Sequence, residues 1–372
     1  MVAQPSVLLS RRSGFGDDSV ASGRTARRGS LSYHRQKPRA NGDYYVNPVD
    51  EGAAQARPAA QEIEPILVWH PKAEQYRSAL TQRLPGVPIE VRTGAPRAPS
   101  PSEAGVLLGW ALPPDAFAQL PRLRWMQATG AGVDDLLARA DLPAGVTVTR
   151  SLGRFGAQTA EYVVGYLLHQ LLHVEDYRRN QDRGTWKQLP RPLLADRTIG
   201  IVGLGSVGLA IAERLAAFGT TVYGVTRRGR PLPHVRNVYT RDDWRSMLPE
   251  CDALVLAAPL TDATRRMIDD EALRALPDNA VLVNVGRGAL VEPEAMLDAL
   301  RDGHLSAAVL DVFETEPLPP DSPLWTEPGA WVTPHVAAPS EVDGIADEFA
   351  ANYQRLLNGE SLHNVVDRAQ GY

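Results

Sequence analysis

Between Thr198 and Leu215 a β-favouring run, Thr198-Ile199-Gly200-Ile201-Val202, breaks into Gly203-Leu204-Gly205-Ser206-Val207-Gly208. The chain then continues as Leu209-Ala210-Ile211-Ala212-Glu213-Arg214-Leu215, which has helical period. A strand that turns through three spaced glycines into a helix leaves few folds open. Gly203 permits the tight turn, Gly205 lets pyrophosphate approach the backbone, and Gly208 lets helix and strand pack closely. The helix start offers free N–H groups and the positive end of its dipole to phosphate. No Gly-Lys-Ser/Thr follows, so the turn is a dinucleotide cradle and not a P-loop. Its cofactor-binding candidates are Gly203, Gly205, Ser206, Val207 and Gly208.

The same alternation runs through most of the chain. Residues 65–69, 89–91, 105–109 and 125–128 predict strands, with helices at 73–84 and 113–119. One long helix is expected over 157–183, closed by Trp186 and Pro190-Arg191-Pro192. Strands are expected again at 198–202, 221–225, 253–257, 280–285 and 307–311, separated by helices, one of them at 242–248. Strands alternating with helices imply parallel sheets. At 372 residues the chain is long enough for two such units, each with its own core. The expectation is an α/β fold of two Rossmann-like domains, parallel sheets flanked by helices.

Residues 1–62 do not share this rhythm. They are rich in Arg, Ser, Gly, Ala and Pro, with no sustained apolar period, and are expected to be a disordered leader or the product of a mis-assigned start. Asp17, Asp18, Asp43, Asp50 and Glu51 argue against a transit peptide. A net charge of -5 argues against nucleic acid or an anionic membrane as partner. The most apolar helix candidate, 162–174, is interrupted by His169, Gln170 and His173 and is shorter than the roughly 20 residues a bilayer requires. Cys251 is the only cysteine, so no intramolecular disulfide can form and a cytoplasmic location is expected.

The strand after the glycine turn supplies a discriminating detail. An NAD site places an acidic residue there for the ribose hydroxyls. Here the strand ends in Thr226-Arg227-Arg228. Thr226 can hydrogen-bond a 2′-phosphate, and Arg227 and Arg228 can neutralise it. NADPH is therefore expected to be preferred, with NADH still usable.

Arg287 follows the run 281–285, which ends in Val285, and stands between two glycines. Ligands of open α/β sheets bind at the carboxyl ends of strands. A guanidinium there suits a bidentate grip on a carboxylate and can polarise an adjacent carbonyl. His335 follows Thr333-Pro334, and Glu316 stands in a turn before Pro317. A carboxylate beside an imidazole orients it and favours its charged form, which can donate a proton to a carbonyl oxygen as hydride reaches the carbon. His169 and His173, four apart, lack a third ligand and the glutamate of a zinc helix, so no metal is expected. His70, His234, His304 and His363 are assigned to loops or the surface, and Cys251 to packing.

These motifs, in the order Gly-x-Gly-x-x-Gly, Asn-x-Gly-Arg-Gly, Asp-Val-Phe-x-x-Glu-Pro-Leu and Thr-Pro-His, resemble those of the D-isomer-specific 2-hydroxyacid dehydrogenases over roughly residues 65–372. The resemblance implies a cofactor domain, 156–337, inserted into a substrate-binding domain made of 63–155 plus 338–372. It implies that Arg287 binds the substrate carboxylate and carbonyl, and that Glu316 pairs with an acid/base His335. It also implies that Pro259 and Asp311 lie near the nicotinamide, that Gly130, Ala131 and Gly132 grip the carboxylate through their N–H groups, and that the enzyme is a homodimer. Within the family, residues 125–134, 334–338 and 366–372 resemble the bacterial glyoxylate/hydroxypyruvate reductases of the A type, which are NADPH-linked. The expected activity is reduction of a small 2-oxoacid to the D-2-hydroxyacid. Phosphoglycerate dehydrogenase and the dinucleotide-sensing corepressors share the motifs and stand as alternatives.

Overall fold

The computed structural model describes residues 64–95 and 100–371. The leader expected at 1–62 lies outside the described residues. The described strands are β1 (Ile66–Trp69), β2 (Ile89–Arg92), β3 (Val106–Gly109), β4 (Trp125–Ala128), β5 (Thr147–Arg150), β6 (Thr198–Val202), β7 (Thr221–Val225), β8 (Asn237–Tyr239), β9 (Ala253–Leu256), β10 (Ala280–Asn284), β11 (Leu305–Leu310) and β12 (Ala330–Val332). The α-helices are α1 (Ala73–Arg83), α2 (Asp134–Leu137), α3 (Phe155–Leu171), α4 (Val174–Asp182), α5 (Ser206–Ala217), α6 (Asp270–Arg274), α7 (Pro293–Arg301) and α8 (Val342–Asn358).

The strands form two sheets, parallel in every pair, ordered β2-β1-β3-β4-β5 and β12-β11-β10-β9-β6-β7-β8. Both faces of the first sheet are covered, which is why β1, β3 and β4 are buried along their whole length. Ile66, Val68, Val106, Leu108 and Trp125 point to one face and pack with Tyr76 and Leu80 of α1 and with Phe349 and Tyr353 of α8. Leu67, Trp69, Leu107 and Met126 point to the other and meet Ala116, Phe117 and Leu120. Phe349 stacks on Trp125 with ring centroids 4.8 Å apart. Truncating a buried ring of this kind costs about 3–5 kcal/mol, so the last long helix holds the first sheet's core together. Beyond it, Thr149 of β5 bridges Val365 antiparallel, and Val366 N–H donates to Val148, which covers the sheet's edge.

α3 connects the two cores. Phe155 at its start packs in the first, while Ala160, Val163 and Leu167 pack with Ile199, Ile211 and Leu215 of the second. The single long helix expected over 157–183 is broken. His173 takes a left-handed conformation (φ 50°), its N–H turns back to Gln170, and α4 starts at Val174. The helix expected at 113–119 is one 3-10 turn, Phe117–Gln119, because Asp115 has φ 57° and cannot continue a right-handed helix. The helix expected at 242–248 is a 3-10 segment, Trp244–Glu250, with Pro249 inside it. β5, β8 and β12 were not expected. They are three or four residues long, and their sequences alternate too briefly to stand out.

Candidate active site

In the second sheet the candidate residues follow the carboxyl ends of adjacent strands. Taken across the sheet they run from His335 after β12, to Asp311 and Glu316 after β11, Val285 and Arg287 after β10, Pro259 after β9, the glycine turn after β6, and Thr226 after β7. Neighbouring strands are about 4.8 Å apart, so residues scattered over more than a hundred positions share one edge. The strand order reverses between β6 and β9, the place where ligands of such sheets bind.

The glycine turn is shaped by close contacts. Gly203 has φ 97°, and a Cβ on it would stand 2.6 Å from the backbone of Ala258 beyond β9. One on Gly208 would run into the carbonyl oxygen of Gly203, so α5 sits directly on the turn. A Cβ on Gly205 would meet nothing within 4 Å, and no side chain caps α5 at Gly205 or Ser206. These features fit a dinucleotide pyrophosphate held on backbone N–H groups. At the end of β7, Thr226 Oγ1 accepts the N–H of Gly229 at 3.0 Å and curls the loop, and Arg227 and Arg228 are exposed on it.

Arg287 is fixed on every side. Buried Asn284 donates from Nδ2 to the carbonyl of Arg287 (2.9 Å) and accepts the N–H of Gly286 (3.1 Å), which staples the turn after β10. A Cβ on Gly288 would collide with the backbone of Phe313 and Glu314, so the missing side chain brings the Glu316 loop against Arg287. The guanidinium donates from Nε to both carboxylate oxygens of Asp134 at 3.0 Å, from Nη2 to Oδ1 at 2.6 Å, and from Nη1 to the carbonyl of Gly286 at 2.8 Å. A Cβ on Gly132 would collide with Nη2. The Gly130-Ala131-Gly132 loop after β4 therefore lies directly beside the guanidinium. Its carbonyls are tied down, that of Gly130 by Ser151 N–H and that of Ala131 by Arg150. The ring of Trp110 covers Gly130, since a Cβ there would stand 2.7 Å from it.

His335 has a left-handed backbone (φ 53°), a conformation costly for a residue with a Cβ and persistent only where the surroundings hold it. Its N–H donates to the carbonyls of Asp311 (2.9 Å) and Thr333 (3.0 Å). The buried carboxylate of Asp311 accepts from Thr333 Oγ1 (2.6 Å) and from the N–H groups of Val336 (2.8 Å) and Ala337 (2.9 Å). Asp311 thus anchors the His335 loop, a task the sequence did not reveal. Thr333 has one proton and gives it to Asp311, so Tyr162 of α3 is the donor in its 2.7 Å bond to Thr333. Burial raises the Tyr162 phenol well above its ordinary range, which keeps that donor protonated. On the imidazole itself, Nδ1 lies 2.8 Å from Glu316 Oε2, and Glu316 Oε1 accepts the N–H of Phe313 at 3.0 Å. The carboxylate holds one ring nitrogen, leaving Nε2 of a half-exposed ring as the other proton-carrying position.

Outside this row, His70, His234, His304 and His363 lie in loops as expected, though not all of them are exposed. His70, in the loop after β1, is buried, and its Nδ1 accepts the N–H of Lys72 at 2.8 Å. The side chain of His304 is largely covered, its ring nitrogens lying 3.1 Å from Asp278 and 2.9 Å from the carbonyl of Leu273. The His169 ring packs edge-on against Trp331. Among the described residues no group of three or more His, Cys, Asp or Glu side chains could hold a metal ion, and no helix is long and apolar enough to cross a membrane. Cys251 is buried, and burial pushes its thiol up to about 12, which leaves it inert.

Residues 164–337 match the family model described as D-isomer specific 2-hydroxyacid dehydrogenase, NAD binding domain. The glyoxylate/hydroxypyruvate reductase A of Serratia proteamaculans is 33% identical over 315 residues, covering 82% of this chain and 99% of the relative. Two solved structures are similar over nearly the whole of their own length. A D-isomer specific 2-hydroxyacid dehydrogenase of Xanthobacter autotrophicus in complex with NADPH and MES has a TM-score of 0.77 and 34% identity, and covers 85% of this chain and 100% of its own. The NADPH-dependent glyoxylate/hydroxypyruvate reductase of Sinorhizobium meliloti, in complex with NADP and sulfate, has a TM-score of 0.78 and 32% identity, with 83% and 100% covered. The ordered motifs, the two parallel sheets and these relatives agree: the chain belongs to the D-isomer-specific 2-hydroxyacid dehydrogenases.

Proposed function

We propose that the protein reduces a small 2-oxoacid, glyoxylate or hydroxypyruvate, to the D-2-hydroxyacid with NADPH. The observation that carries this reading is the row of strand ends in which a carboxylate-held imidazole and a fixed guanidinium stand beside the glycine cradle. Gly203, Gly205, Ser206, Val207 and Gly208 would hold the pyrophosphate, Thr226, Arg227 and Arg228 the 2′-phosphate, and Pro259, Val285 and Asp311 the nicotinamide half. Bound there, the reduced dinucleotide supplies the hydride. Arg287 binds the substrate carboxylate bidentately and polarises the carbonyl, helped by the N–H groups of Gly130, Ala131 and Gly132. His335, oriented by Glu316, gives its proton to the carbonyl oxygen, and in the reverse direction takes the hydroxyl proton. The pairing with Glu316 offsets the positive charge on the ring before transfer. NADPH-bound and NADPH-dependent relatives support the cofactor, and the basic end of β7 supports the same choice.

In this reading residues 63–155 and 338–372 form the substrate-binding domain and 156–337 the cofactor domain, supported by the packing of α8 on the first sheet. A homodimer is supported by the large apolar side chains Val174, Tyr177, Trp186 and Leu193, which are exposed on α4 and the segment after it. A cytoplasmic site of action is supported by the lone buried cysteine.

The test is an initial-rate panel of 2-oxoacids against NADPH and NADH. Turnover with glyoxylate or hydroxypyruvate, with kcat/KM higher for NADPH, is expected. Silence toward every 2-oxoacid would overturn the reading and favour a binding module, and a higher kcat/KM with NADH would overturn the cofactor preference.

A further inference from the structure

We infer that Asp134 is a positioning residue for the reaction: it aims the guanidinium of Arg287 and ties it to the loop whose N–H groups are proposed to meet the same substrate carboxylate. This rests on the proposed role of Arg287 as the carboxylate-binding cation.

A guanidinium carries five N–H donors in a rigid planar fork. Nε and Nη2 form one edge, and Asp134 closes it with contacts of 2.6 to 3.0 Å. One Nη1 hydrogen goes to the carbonyl of Gly286 at 2.8 Å. What is left is one hydrogen on Nη1 and one on Nη2, and the backbone of Gly132 lies against Nη2.

The pair also joins two places remote in the chain. Asp134 begins α2, two residues after Gly132 and on the first sheet, whereas Arg287 follows β10 of the second. Both side chains are mostly covered, at 19% and 28% exposure, so the contact is only partly screened. Because Gly132 has no side chain, its backbone lies against Nη2. Asp134 therefore fixes in one frame the two sets of donors proposed for the same carboxylate, the N–H groups of residues 130–132 and the end of Arg287.

The experiment compares Asp134→Ala, Asp134→Asn and Arg287→Ala with the wild type, using glyoxylate and its uncharged methyl ester as substrates. Asp134→Ala should raise KM for glyoxylate by about 10- to 100-fold, the range of a charge-assisted hydrogen bond, and leave KM for the ester and the Kd of NADPH within about twofold. Asp134→Asn, which keeps an acceptor for Nη2, should recover part of the loss and serves alone if the alanine variant does not fold. A glyoxylate KM that stays unchanged or falls would overturn the inference, as would equal loss with both substrates, the mark of general loosening. A normal Arg287→Ala would instead sink the role of Arg287 itself, whereas an impaired Arg287→Ala beside normal Asp134 variants would remove only the inference.

Discussion

Two strand-to-helix turns occupy matching places in the two sheets, and they are filled in opposite ways. β1 passes through His70-Pro71-Lys72 into α1, and β6 passes through Gly203-Leu204-Gly205 into α5. Each strand stands where the order of its sheet reverses. The first turn is closed by one of its own side chains. The buried His70 ring lies edge-on to Tyr76, with centroids 4.9 Å apart, and its Nδ1 takes the N–H of Lys72, the residue preceding α1. At the second turn no side chain caps the helix, and the space over Gly205 is open. A helix start needs acceptors for its first N–H groups. Neither helix start has a side-chain cap, but the His70 ring fills the first turn, whereas the space over Gly205 is left open. The scaffold is shared, and the function lies in what the turn lacks.

That contrast breaks first at Gly208. A Cβ there would run into the carbonyl oxygen of Gly203, which is backbone and cannot swing aside. Gly208→Ala should lower NADPH affinity by at least roughly tenfold through displacement of α5 from the turn, read by fluorescence titration, while the far-UV circular dichroism stays near that of the wild type. Unchanged affinity would show that the close fit of helix and turn is not what shapes the cradle.

A smaller effect is expected at the rim. Arg228→Ala should lower kcat/KM with NADPH by about tenfold, the worth of one charge-assisted contact, and leave the value with NADH nearly unchanged. Equal losses with both cofactors would deny the residue a part in 2′-phosphate recognition.

The smallest effect on activity is expected in the first lobe. His70→Leu should leave kcat and the Kd of NADPH within about twofold, because its ring fills a turn of the first sheet, outside the proposed site. Its effect should lie in the pH dependence of stability. Burial, with Lys72 adding to it, holds the His70 imidazole down at about 4, against 6.5 when free. Between these values the unfolded state binds more protons than the folded one, so stability is present above about pH 6.5 and is lost as pH falls toward 4. The wild-type Tm should therefore fall more steeply over that interval than the Tm of His70→Leu. Parallel curves would mean that the ring is not the buried neutral group described.

The second turn could be read from its sequence and the first could not, for a physical reason. Glycines that spare room for a ligand leave a spaced signature in the chain, as do Asn284-Val285-Gly286-Arg287-Gly288 and the Thr-Pro-His run. Each of these is a local device at one strand end. What stayed hidden joins distant positions: Asp134 to Arg287 across 153 residues, and Tyr162 through Thr333 to Asp311. Neither pairing has any pattern until the sheets set the register. That His70 is buried within its loop could not be read, because a polar residue between a strand and a helix looks exposed until the packing is known. The break at His173 hid for a similar reason, since no glycine or proline marks the left-handed residue. Helices and strands with long apolar runs were legible, and the three- and four-residue strands at β5, β8 and β12 were not.

In the proposed reaction, proton transfer belongs to His335 at the edge of the second sheet, beside a cradle that works without it. Stopped-flow measurement of reduced-nicotinamide consumption by His335→Ala, with glyoxylate in excess, tests this directly alongside NADPH titration of the same protein. The expected result is a rate lower by about 10²- to 10⁴-fold, with the Kd of NADPH within about twofold of the wild type. A rate within a few-fold of the wild type at unchanged NADPH affinity would contradict it.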